Sequence, residues 1–275
     1  MMKKMFLPEF LRRQCGYKFP KLGAAANRLF FKVTPRLVET ELFPGIRIQL
    51  DTQDLTQRTT YWQGNRFEYP TAQILAEWGK AGATMFFDIG ANYGFFSYWM
   101  LSQFRNLAVH SFEPNPKPMG IIERTKARNG LENLHPQAMG LSDAKETLSL
   151  HLGTADSGHS TFGDHPEFRD SAPVSVPVLP FDEWRKSAGI ELPQTPRWVA
   201  KVDVEGFELR VLRGMGGSLK ARAFIGLVIE VNPFTMEMVG TDTDQILSFM
   251  ENHGYKLKYP LGTFKTNQNG YFIPR

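Results

Sequence analysis

An α/β fold with a largely parallel sheet is predicted by three stretches of this 275-residue chain. In the first, Met85-Phe86-Phe87 runs into Asp88-Ile89-Gly90-Ala91-Asn92-Tyr93-Gly94 and then into an apolar segment, Phe95 to Leu101. That is a strand, a small-residue turn and a helix, the shape that holds a nucleotide-like ligand at the carboxyl end of a parallel strand. In the second, Ala108-Val109-His110-Ser111-Phe112 ends in Glu113-Pro114-Asn115. Its distance from Gly94 suits one intervening helix in a right-handed β-α-β unit. In the third, Trp198 to Val204 reads as a buried parallel strand interrupted by charges, followed by a helix, Phe207 to Leu219.

The other elements follow in order. Residues 1–35 read as a leader of one or two helices. Within it, Met1 to Lys18 sets basic residues beside Phe6, Leu7, Phe10 and Leu11, a pattern open to weak contact with a membrane surface, with an ordinary surface helix as the plainer reading. Pro8 and Glu9 interrupt it too early for a signal peptide. Val38 to Leu42 and Ile46 to Leu50 alternate around a Pro44-Gly45 turn and predict a strand pair. A helix over Thr71–Lys80 puts Ile74, Leu75 and Trp78 on one face. Pro114 and Pro116 end the second strand, and a helix from Lys117 to Asn129 closes at Gly130. His135 to Leu141 reads as a third strand leading to Ser142-Asp143. Thr147 to Leu152 and Val174 to Val178 alternate as an inserted β-hairpin with a polar, flexible tip, Ser157-Gly158-His159-Ser160-Thr161. Beyond a short helix, Leu179 to Ser187, come the strand Phe224 to Val231, the helix Asp242 to Asn252, and an antiparallel edge pair, Tyr255 to Tyr259 with Asn269 to Ile273.

Composition narrows the function classes. A hydrophobic fraction of 42% suits a globular core. A formal charge of +4 is too mild to point to nucleic acid. Cys15 is the single cysteine, so neither an intrachain disulfide nor a cysteine-based zinc site can form, and a reducing, cytoplasmic location is expected. The longest apolar run, Ala223 to Ile229, falls far short of the roughly 20 residues that span a bilayer.

The candidate site residues stand at the predicted strand tips. The loop Asp-x-Gly-x-Asn-x-Gly departs from the dinucleotide pattern, and the acid at Asp88 would repel a pyrophosphate. It suits the amino group of S-adenosylmethionine instead. Glu113 is placed to accept both ribose hydroxyls. Asp143 is either an acceptor for the adenine amino group or a turn residue. Lys201, Asp203 and Glu205 share one side of an extended strand, where a Lys201–Asp203 or Lys201–Glu205 pair would offset the cost of burial. Glu208 is either a catalytic acid or a first-turn acid favoured by the helix dipole. Asp203 with Glu230 and Asn232 offers hard oxygen ligands of the kind magnesium uses; Glu230 pairing with Lys201 is the plainer reading. His159 is a loop histidine that could act as a base or simply be solvated.

Three of these stretches together closely resemble the FkbM family of methyltransferases: Asp88 to Gly94, Phe112 to Asn115, and Lys201-Val202-Asp203-Val204-Glu205-Gly206-Phe207-Glu208 with Val211-Leu212-Arg213-Gly214. The resemblance runs from about Glu68 to the C-terminus. It implies a class I methyltransferase, Rossmann-like seven-stranded sheet of order 3-2-1-4-5-7-6, with residues 56–275 as the methyltransferase domain and 1–55 as an extension. It also implies S-adenosylmethionine-dependent methylation of a hydroxyl on a sugar, glycan or related metabolite. On this reading Asp88, Gly90, Asn92 and Gly94 hold the methionine part of the cofactor, Glu113 the ribose, and Asp143 lies near the adenine. Asp203 and Glu205 are the first choices for base or acceptor orientation, with Glu208 and Glu68 next. A non-catalytic binding module of the same fold and a nicotinamide oxidoreductase are the alternatives from other classes. The latter disagrees with Asp88 and Asn92 in the glycine loop.

Overall fold

The computed structural model describes residues 36–153, 157–163, 172–262 and 268–275. The expected leader helices, with Cys15, lie outside these residues. The described chain begins with an antiparallel pair, β1 (Leu37–Phe43) and β2 (Ile46–Asp51), turning at Gly45 with φ 75°. The stretch 54–64, given no element from sequence, forms helix α1 (Leu55–Gln63), whose first turn is capped by the Asp54 carboxylate accepting from Gln57 N. Then come α2 (Tyr69–Lys80), β3 (Met85–Ile89), α3 (Phe95–Gln103), β4 (Ala108–Phe112), α4 (Pro116–Asn129) and β5 (Leu134–Gln137). A short β6 (Gly140–Leu141) joins β7 (Glu146–Leu150) and β8 (Val174–Leu179) in a separate three-stranded sheet. The remaining elements are α5 (Phe181–Ser187), β9 (Trp198–Val202), α6 (Glu208–Gly214), α7 (Gly216–Lys220), β10 (Phe224–Val231), α8 (Pro233–Met238), α9 (Thr243–Asn252), β11 (Tyr255–Leu257) and β12 (Gln268–Pro274).

The main sheet has seven strands in the order β11-β12-β10-β9-β3-β4-β5. Pairing is parallel from β10 through β5, while β12 is antiparallel to both β10 and β11. Numbered along the chain within this sheet, the order is 3-2-1-4-5-7-6. Both faces are covered, so its central strands are apolar on both sides. Phe86, Val109, Val199 and Val228 join a core with the β1–β2 pair and helices α2, α3 and α4. Phe87, Ala200, Leu227 and Ile229 face the opposite core with Phe181, Trp184 and Trp198.

The strand period of two has a chemical consequence. On the α2–α3 face, each strand carries a polar residue two positions beyond its core residue: Asp88 after Phe86, Ser111 after Val109, Lys201 after Val199 and Glu230 after Val228. Register sets Asp88 opposite both Lys201 and Ser111. Lys201, which looked like an interruption in the strand read over Trp198–Val204, therefore belongs to one row along the carboxyl edge of the sheet.

Element boundaries differ most from the sequence reading at three places. The third strand splits, because Gly140 and Leu141 leave the main sheet to pair with β8. The fourth strand stops at Val202 because the chain turns through Glu205 (φ 51°) and Gly206 (φ 103°). The helix expected over 207–219 is two helices broken at Met215, in a run of Gly214, Gly216 and Gly217 that has poor helix propensity. Among the described residues no helix is long and apolar enough to cross a membrane.

Candidate active site

The turn after β3 is a run of left-handed backbone: φ is 79° at Gly90, 50° at Asn92 and 90° at Gly94. Asparagine tolerates that region better than most side chains. Gly90 is compelled by space as well, since a Cβ there would lie 1.8 Å from the Asp203 carbonyl oxygen. The loop is fastened to β4, with Gly90 N and Ala91 N both donating to Phe112 O at 3.0 and 2.9 Å. It is fastened to α1 as well, through a Tyr93–Thr60 hydroxyl bond. With strand tips β4, β9 and β10 it surrounds a cavity of about 220 Å³.

Charge inside this cavity is lopsided. Among the described residues, Glu68, Glu113, Asp203, Glu205 and Glu230 line it, against a single basic residue, Lys201. Lys201 Nζ donates to Asp203 Oδ2 at 2.5 Å and lies 5.0 Å from the Phe96 ring centre, so the expected Lys201–Asp203 pair is present. Burial works to lower the Lys201 pKa, but Asp203, Glu68 and Asp88 outweigh it and hold the ammonium charged. Glu68 enters from the start of α2 with φ 44°, an unusual backbone for glutamate. Burial raises its pKa, with Lys201 opposing and Asp203 and Asp88 adding to the rise.

Glu113 sits just past β4 at 7% exposure. Asn92 N donates to its Oε2 at 2.8 Å and Asn115 N to its Oε1 at 2.7 Å. Burial pushes its carboxyl up to about 7, although both amides favour the carboxylate.

Of the cofactor candidates, Gly90, Asn92 and Glu113 line the cavity; Asp88, Gly94 and Asp143 do not. Asp88, at 1% exposure, lies under the loop on the α3 side. Its Oδ2 accepts from Ser97 N at 3.1 Å and Ser97 Oγ at 2.6 Å. Through these bonds Asp88 anchors the first turn of α3. Burial raises its pKa and Lys201 opposes the rise. Gly94 is the left-handed residue that starts α3, where a Cβ would come within 2.8 Å of the Tyr98 ring. Asp143 is paired with Arg210, whose Nε donates to Oδ1 at 2.7 Å.

Of the catalytic candidates, Asp203 and Glu205 line the cavity and Glu208 does not. Glu208 Oε1 accepts from Val204 N at 2.9 Å, and both its oxygens accept from Gly206 N, at 3.2 and 3.1 Å. It fastens the turn after β9, and burial pushes it up to about 7. The first-turn alternative describes it better than a catalytic one. Carboxylate oxygens of Asp203, Glu205 and Glu230 lie within 4.8 Å of one another. Asn232, expected in that cluster, instead caps α8 by accepting from Phe234 N at 3.2 Å. The described backbone at His159 is a short 3-10 turn.

The sequence reading missed Asn115, Ser157 and Ser160 as individual parts of the site. Ser157, Gly158, Ser160 and Phe162 of the insertion line the cavity. An asparagine directly before Pro116 is a helix-cap signal that could have drawn attention to Asn115.

No curated protein matches the chain. Solved structures similar to it include TYW2 from M. jannaschii in complex with AdoMet, at 13% identity over 88% of each chain with a TM-score of 0.41. An rRNA methylase from Streptococcus thermophilus has 13% identity over 75% of this chain and 95% of its own, with a TM-score of 0.43. A precorrin-6y methyltransferase from Geobacter metallireducens has 13% identity over 74% and 85%, with a TM-score of 0.41. The family model described as the methyltransferase FkbM domain matches residues 88–257, from the glycine loop through β11. The chain belongs to the FkbM family of S-adenosylmethionine-dependent methyltransferases.

Proposed function

We propose that this methyltransferase transfers a methyl group to a hydroxyl oxygen of a sugar, glycan or related small metabolite, at the cavity between the glycine loop and the tips of β9 and β10. The observation that carries the proposal is the excess of carboxylates in that cavity, five acids against Lys201 among the described residues. It fits a ligand with a sulfonium and an amino group, and it leaves carboxylates over for an acceptor hydroxyl. When bound, S-adenosylmethionine supplies an electrophilic methyl carbon. Gly90 and Asn92 shape the wall against its methionine part, and Glu113 accepts from its ribose. Asp203, held by Lys201, and Glu205 orient the acceptor hydroxyl. Glu68 would take the hydroxyl proton as the C–O bond forms and the methyl carbon's bond to sulfur breaks, with S-adenosylhomocysteine as the leaving group. Its raised pKa suits that task, because a base works best when its pKa approaches the working pH. The aromatic wall of Phe67, Phe95, Phe96 and Phe162 limits water at the reacting centre. The mild net charge favours a small-molecule or glycan acceptor over nucleic acid, and the single cysteine suits the cytoplasm.

The test is transfer of a labelled methyl group from S-adenosylmethionine to a panel of sugars, glycans and hydroxylated metabolites, with RNA as a comparison. Alkali-stable label on a hydroxylated acceptor is the expected result. Label on RNA would reassign the acceptor, and cofactor binding with no transfer to any acceptor would favour the binding-module alternative. A magnesium role for Asp203, Glu205 and Glu230 is read in the same assay. With Lys201 already balancing Asp203, removal of divalent ions with EDTA is expected to leave the rate within about twofold. A larger loss restored by magnesium would make that cluster a metal site.

A further inference from the structure

The two amides that hold Glu113 are themselves held by the insertion. Ser157 Oγ donates to Asn92 Oδ1 at 2.9 Å, and Asn92 N donates to Glu113 Oε2 at 2.8 Å. On the other side, Asn115 N donates to Glu113 Oε1 at 2.7 Å, and Asn115 Nδ2 donates to Ser160 Oγ at 3.0 Å. Ser160 Oγ then donates to Ser157 O at 3.3 Å and accepts from Gly153 N at 3.2 Å. The bonds form a closed ring through Ser157, Asn92, Glu113, Asn115 and Ser160. Ser157 N is in turn tied to Asp54 Oδ2 at 2.9 Å, which fixes the segment against the start of α1.

We propose that Ser157 and Ser160 are positioning residues for Glu113: through the side chains of Asn92 and Asn115 they aim the two backbone N–H groups that clamp its carboxylate. The proposal rests on the reading of Glu113 as the ribose acceptor. Asn92 has a left-handed backbone, and Asn115 is the cap of α4. In each, the side-chain bond to the insertion fixes the direction of the same residue's N–H. Supporting groups of this kind act through geometry, and their loss is felt at the residue they orient. The ring also gives the inserted hairpin a share in cofactor recognition, beyond that of a substrate-facing lid.

Glu113 also reports on its own state. Asp88 on β3 and Asp203 beyond β9, both acids, add to the rise that burial causes, and the same cavity holds Glu68, Lys201, Glu205 and Glu230. Below a pH of about 7 Glu113 takes up a proton, loses acceptor capacity and binds a diol less well. Loosening the two amides removes what favours the carboxylate, so the midpoint of this loss moves to higher pH.

The experiment is calorimetric titration with S-adenosylhomocysteine from pH 5.5 to 8.5, for the wild type, S157A, S160A, the S157A/S160A double variant, S157T and E113Q. The double variant is expected to bind about tenfold more weakly, with its pH midpoint raised. S157T keeps the hydroxyl and should bind as the wild type does. E113Q should bind weakly at every pH. Folded serine variants with wild-type affinity and midpoint, alongside a weakened E113Q, would overturn the positioning role and leave Glu113 as the ribose acceptor. E113Q with the affinity and pH profile of the wild type would overturn both. A loss of thermal stability with the midpoint unmoved would also overturn the proposal, since a purely structural role predicts that pattern. If the double variant fails to fold, the single variants carry the same reading.

Discussion

Gly90→Ala is expected to abolish cofactor binding and to cost about 3–5 kcal/mol of stability. Two penalties add. The backbone at Gly90 has φ 79°, which strains any residue with a Cβ. That Cβ would also lie 1.8 Å from the Asp203 carbonyl oxygen, a backbone atom that cannot rotate away. Relief requires β3 and β9 to separate at their carboxyl ends, where Asp203 N bonds to Ile89 O at 3.0 Å. The same movement would displace Lys201 and Asp203 together. Urea denaturation and S-adenosylhomocysteine titration check this pair of effects. A variant that folds and binds like the wild type would show that the loop and the β9 tip do not depend on that close approach. The matching change at Gly130, where a Cβ meets nothing within 4 Å, separates the strain term from the clash.

Glu68→Gln is expected to lower kcat by about 10²- to 10⁴-fold, with S-adenosylhomocysteine affinity changed by less than about fivefold. Glutamine keeps the shape of glutamate and removes the proton acceptor. Because burial raises the Glu68 pKa, its charged fraction grows with pH, and the wild-type rate should rise as pH increases through that raised value. The variant should lose this limb of the profile. Asp203→Asn is the comparison: it breaks the pair with Lys201, so its effect should fall on acceptor KM as well as on kcat. If Glu68→Gln keeps the wild-type rate while Asp203→Asn or Glu205→Gln loses it, the base belongs at the β9 tip.

Much of the fold was legible because its signals are local. The glycine loop showed itself through residues that left-handed backbone requires, and the strand tips through acids where apolar runs end. A period of two and the cost of a lone buried charge offered Lys201 a partner in Asp203 or Glu205, and the structure pairs it with Asp203. What the sequence hid was what each polar group faces. Strand periodicity puts Asp88 on a definite side, but only the packing of α3 shows that Ser97 occupies it. Asp143 met Arg210, 67 residues further along the chain, and nothing local announces such a partner. Glu208 was ambiguous in sequence because a first-turn acid and a site acid look alike; the turn at Gly206 decides between them. The insertion read as a flexible lid because it is polar. In its tip, Ser157, Ser160 and Thr161 are hydrogen-bonded, with Thr161 Oγ1 donating to Glu205 O at 2.9 Å.

The central claim is that the acid-rich cavity at the carboxyl edge of the sheet is where S-adenosylmethionine binds. Calorimetric titration of the wild type and of Glu113→Ala with S-adenosylhomocysteine tests it most directly. The account predicts micromolar-range binding by the wild type, on the order of −8 kcal/mol, and its loss in the folded Glu113→Ala variant. Failure of the folded wild type to bind, or undiminished binding by Glu113→Ala, would contradict it.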